Sequence, residues 1–67
     1  SGEANPTGAL MALAQAQNAL GKSDDARNTL LSTREAYPEG FAARMSSLGE
    51  DSASRQVYED FKKLLGE

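Results

Sequence analysis

The chain has no cysteine, no histidine and no tryptophan, and only two prolines, in a sequence of 67 residues. Each absence excludes something. Without cysteine there is neither a disulfide staple nor a thiolate metal site, although the compartment is left open, since reducing and periplasmic settings both hold cysteine-free domains. Without histidine the commonest general base near neutral pH and the commonest metal ligand are missing. Aromatic residues are scarce: Tyr37, Phe41, Tyr58 and Phe61 are all there are. No long apolar run exists, so no segment reads as a membrane span. Basic residues are outnumbered, seven against ten acidic, for a net charge of −3; only Lys62 and Lys63 adjoin. Such a surface repels a phosphate backbone, and nucleic-acid binding is not expected.

What is present is a helix-forming composition. A chain this short buries roughly 60% of its unfolded surface, so one small domain with modest stability, on the order of 5 kcal/mol, is the ceiling. Residues 1–5 are small and polar and read as a disordered N-terminal tail; 6–67 read as a single helical domain. The start, Ser1-Gly2-Glu3, carries no initiator methionine and no apolar signal core, which suggests a fragment of a longer protein. Asn5-Pro6 forms a cap followed by proline at a first helical position. From there to residue 20 strong helix formers dominate, with Leu10, Leu13, Gln17 and Leu20 at helical spacing. Gly21 ends this helix as a left-handed cap.

Ser23 reads as the cap of a second helix, with Asp24 and Asp25 in its first turn, where the helix dipole favours negative charge. Ala26, Leu30, Thr33 and Tyr37 line one face, and Pro38-Glu39-Gly40 stops the helix near residue 37. A joint of about three residues makes the two helices antiparallel. Phe41 to Leu48 forms a short third helix that Gly49 breaks. A fourth helix, capped by Asp51 or Ser52, runs from about 52 to 65 with the strongest apolar stripe: Val57, Tyr58, Phe61, Leu64 and Leu65. Glu59 stands at favourable spacing from Lys62 and Lys63. No strand-type alternation appears, and the expected fold is all-α: an antiparallel hairpin, a short helix and a terminal amphipathic capping helix.

The fixed points of residues 7–40 are small residues, Ala14 and Ala26, where the two helices cross, with Leu13, Gly21, Leu30 and a closing Pro38. In these the segment resembles a tetratricopeptide repeat, whose unit is about 34 residues. Leu10 stands where such repeats carry a large aromatic residue, and Gln17 where they carry tyrosine. The resemblance implies a hairpin in which Leu13 and Leu30 bury against each other. It also implies a non-catalytic module that binds a protein or peptide. Its concave face would draw on Met11, Gln15, Asn18, Arg44 and Ser47, with no cofactor and no metal. Solvated helix positions are the plainer account of the same five residues. No lysine lies in the first helix, which disfavours a clamp for a C-terminal carboxylate. One repeat falls short of the three or so that independent stability usually needs, so the chain is expected either to continue a longer solenoid or to self-associate. Single-repeat domains of bacterial envelope and secretion proteins are similar in this respect, which implies a scaffold or assembly role.

The alternative is a structural, homo-oligomerising helical bundle whose exposed stripe at 57–65 drives association. A third reading comes from Leu48-Gly49-Glu50-Asp51-Ser52, which resembles the serine motif of acyl carrier proteins. Ser52 is followed by Ala53, and too few residues remain for two further helices, so helix capping accounts better for Asp51-Ser52. The carboxylate pairs Asp24-Asp25, Glu50-Asp51 and Glu59-Asp60 are neighbours in sequence. On a helix they point about 100° apart and do not make an acid–base couple.

Overall fold

The computed structural model describes residues 6–67. It contains α1 (Thr7–Ala19), α2 (Ser23–Ala36), α3 (Pro38–Glu50), a 3₁₀ turn (Ser52–Ser54) and α4 (Arg55–Leu65), with no strand among the described residues. The fold is all-α. Asn5, expected as the first cap, and the rest of the tail lie outside the described residues. Pro6 occupies the cap position of α1, and its carbonyl accepts from the Leu10 amide at 2.9 Å.

Gly21 ends α1 at φ +82°, as its sequence position predicts. The Lys22 amide donates to the Gln17 carbonyl at 2.9 Å and the Gly21 amide to the Asn18 carbonyl at 3.0 Å. This paired pattern is a Schellman cap, which satisfies carbonyls that the last turn of a helix leaves open. Gly66, at φ +79°, closes α4 in the same way: the Glu67 amide donates to the Lys62 carbonyl and the Gly66 amide to the Lys63 carbonyl.

Several boundaries differ from expectation. Ser23 is the first residue of α2, and Lys22 holds the cap position without a side-chain bond. The third helix is 13 residues long, because Pro38 starts it as well as stopping α2. Proline's fixed φ suits a first helical position, and the Tyr37 carbonyl accepts from the Phe41 amide at 2.8 Å. Tyr37, at φ −135° and ψ 66°, is therefore the whole joint between the two helices. Gly49 does not break α3; it sits in the last turn, facing the ring of Tyr58. A Cβ there would stand 3.2–3.3 Å from three ring carbons, so glycine permits a close approach of α4. Finally, Asp51 caps the 3₁₀ turn and not α4 itself: its carboxylate accepts from the Ala53 amide at 3.2 Å and the Ser54 hydroxyl at 3.0 Å. Hence α4 begins at Arg55, three residues later than predicted.

The core is formed by Met11, Ala14, Ala26, Leu30, Phe41 and Phe61, with Met45, Leu48, Val57, Leu64 and Leu65 packed around them. Ala14 and Ala26 have no exposed surface, which lets α1 and α2 pack closely. The pair is antiparallel: Thr29 Oγ1 donates to Gln17 Oε1 at 2.7 Å near the turn, while Leu10 and Leu13 line a groove with Thr33 and Ala36 farther along. Gln17, which departs from the tyrosine of the repeat pattern, thus joins the two helices by a hydrogen bond. Thr33 is buried because its hydroxyl donates to the Thr29 carbonyl at 2.7 Å.

Two packing expectations are corrected. Leu13 does not bury against Leu30: Leu30 is fully enclosed, whereas Leu13 is 47% exposed. At about 100° per residue, Thr7, Met11 and Ala14 share the inward side of α1, and Leu13 falls about a third of a turn away, at the exposed edge of the contact with α2. The stripe on α4 is likewise not exposed. Phe61 is buried, at 1% exposure, and Val57, Leu64 and Leu65 pack on the core. The surface expected to drive oligomerisation is the inner wall of the molecule.

Candidate functional site

The five residues singled out in the sequence have different fates. Met11 is 2% exposed and belongs to the core, so it does not offer a flexible side chain to a partner. Apolar and on the inward side of α1, it could have been assigned there from its spacing to Ala14 and Thr7. Its edge forms the floor of a small cleft of about 50 Å³ between α1, α3 and α4, together with Leu48, Val57 and Phe61. Gln15 and Arg44 line the same cleft, from α1 and α3 respectively, so the structure brings these two together. Ser47 joins Arg44 along an adjacent shallow groove of about 280 Å³, lined also by Thr7, Gly8, Gly40 and Ala43. Asn18 is half-buried one turn beyond Gln15 and lines neither.

The composite surface is a trough between α1 and α3. Its walls include Gly8, Gly40 and Ala43, which allow a backbone to come near. These small residues were not singled out in the sequence, because glycine inside a helix reads first as weak propensity. Arg44, Ser47 and Gln15 are exposed at the rim. Arg44 forms neither of the two ion pairs found among the described residues, which are Arg34–Glu67 at 3.3 Å and Arg55–Glu59 at 3.5 Å. Its guanidinium is free to present a planar fork of donors to a carboxylate or a carbonyl. The second ion pair also shows Glu59 engaged with Arg55, one turn before it, in place of Lys62 or Lys63.

Several other polar groups pack within the fold. Tyr58 is half-buried, with the Arg55 guanidinium 5.9 Å and the Lys62 ammonium 5.4 Å from its ring centre. The spacing 55, 58, 62 is a helical stripe that foretells this stacking. Phe41 and Phe61 are buried. No group of three or more potential metal-ligating acidic side chains forms among the described residues. Among the described residues no helix is long and apolar enough to cross a membrane. Comparison of the chain with models of protein families, with characterised proteins and with solved structures yields no match.

Proposed function

We propose that the chain is a non-catalytic protein–protein interaction module of the tetratricopeptide type, serving as a scaffold or assembly domain. The observation that carries this reading is the crossing of α1 and α2 at two alanines with no exposed surface, Ala14 and Ala26, beside an open trough between α1 and α3. A trough with small-residue walls and a polar rim suits an extended or helical segment of another protein. Arg44 favours a segment carrying a carboxylate, and Gln15 and Ser47 supply hydrogen bonds to its backbone.

A displayed peptide library selected against the intact chain tests the reading. Binding peptides are expected to carry acidic residues and to perturb amide resonances at Gly8, Gln15, Gly40, Arg44 and Ser47. Arg44→Ala should weaken them by ~10-fold or more, the scale of one charge-assisted hydrogen bond. Selected peptides whose perturbations map elsewhere, or that bind the Arg44→Ala chain equally well, would reject this site.

A further inference from the structure

The first helix carries no charged residue from Thr7 to Ala19. Apart from Thr7, its only polar side chains are Gln15, Gln17 and Asn18, and a surface helix normally turns a charged or polar face to water. Here the fully buried positions are Thr7, Met11 and Ala14, with Leu10, Gln17 and Asn18 half-buried beside them. Ala9, Ala12, Leu13, Ala16, Ala19 and Leu20 are all exposed, Leu13 at 47% and Leu20 at 74%, and these two are the large apolar residues most open to solvent. Soluble surfaces are usually charged over about a quarter or more of their residues. The outer side of α1 departs from that rule while the rest of the chain obeys it.

The exposed residues are also ordered. Ala9, Leu13, Ala16 and Leu20 are spaced four, three and four apart, the heptad interval that keeps one seam facing a partner helix. Small and large residues alternate along the seam. When two such seams are laid antiparallel about a two-fold axis level with the Ala14–Gln15 peptide bond, Ala9 stands opposite Leu20, and Leu13 opposite Ala16. Both leucines of the seam then meet an alanine. A parallel alignment sets leucine against leucine and alanine against alanine, leaving gaps beside crowding. The pattern is self-complementary in one orientation only, which a two-fold interface requires. No charge on either helix opposes the approach, despite the chain's net charge of −3.

We infer that the outer seam of α1 docks antiparallel on the same seam of a second copy. A contact of about three turns is smaller than the ~1,200 Å² at which stable interfaces begin, so the dimer is weak and concentration-dependent. The inference uses a different surface from the trough between α1 and α3, and each can fail alone.

Sedimentation from micromolar to millimolar concentration should show the mean mass rising toward that of a dimer. Leu13→Glu should abolish the rise, while its helical circular dichroism and dilute melting curve stay those of the parent. The orientation is read by disulfide trapping, for which the cysteine-free chain is suited. Ala9 and Leu20 lie about 16 Å apart along the helix axis. Chains with Ala9→Cys, mixed with chains with Leu20→Cys and oxidised in a glutathione buffer, should give the mixed disulfide well above its statistical share. Dominance of either symmetric disulfide would overturn the proposal. So would a chain that stays monomeric at millimolar concentration, or an Ala9/Leu20 mixture that crosslinks only statistically. Association that survives Leu13→Glu, or a different polypeptide covering Leu13 in place of a second copy, would overturn it as well. None of these results would alter peptide binding at Arg44.

Discussion

Leu30 and Leu13 have the same side chain and opposite environments. Leu30 is fully buried, so Leu30→Ala should cost ~2–5 kcal/mol, from lost transfer energy and the cavity left behind. Leu13 is half in solvent, and Leu13→Ala at dilution should stay within about 0.5 kcal/mol. Urea melts of the two variants, compared with the parent, check both. At the helix crossing the direction reverses, since Ala14 and Ala26 have no room. Ala14→Leu or Ala26→Leu should destabilise by ~1–3 kcal/mol through overpacking; unchanged melting of both variants would contradict the close approach. At this scale the sequence was legible where size mattered and not where direction mattered. Ala14 and Ala26 announce a close crossing by being small. Leucine and methionine occur all round α1, so periodicity alone did not say which side meets α2. That is why Met11 read as a surface residue and Leu13 as a core one. Gln15 and Arg44 were legible as polar positions one helix apart, but Gly8, Gly40 and Ala43 carry no functional group by which to be noticed.

The helices themselves were easier to read than their ends. Gly21 was recognisable because a left-handed cap has almost one residue to choose from. Gly21→Ala retains the helix but places a Cβ at φ +82°, which should cost ~1–2 kcal/mol. Asp51→Ala removes the acceptor of the Ala53 amide and the Ser54 hydroxyl, and should cost ~0.5–2 kcal/mol. Thermal unfolding followed by circular dichroism measures both; equal melting temperatures for parent and variants would contradict the assigned caps. The misread elements share a cause. Pro38 and Gly49 are ordinarily punctuation, and here each has a second role: one opens α3 and the other admits the ring of Tyr58. Such roles depend on what packs opposite, which lies outside any local window.

As a whole the molecule depends on α4. Phe61 is the largest fully buried side chain, and α4 packs against both α2 and α3. Phe61→Ala should remove ~3–5 kcal/mol, close to the entire stability of a domain this size. A broad, non-cooperative melt is expected for that variant, and a sharp transition near the parent's would show that the hairpin stands without its cover. The exposed ion pair between Arg34 and Glu67, at 3.3 Å, contributes little by comparison. The apolar stripe of α4 was legible in sequence, yet its destination was not: a strong amphipathic face fits a core as well as an interface. Only the placement of α4 against Leu30 and Phe41 assigns it to the core, and only the leftover surface of α1 then stands out as the uncovered one.

The contact between Gly49 and Tyr58 supplies a built-in magnetic reporter. An α-proton of Gly49 lies against the tyrosine ring, within its shielding cone, so its resonance should be displaced upfield of an ordinary glycine. Departure of the last helix would return that line to its usual position, and one proton would record the opening of the molecule without any label.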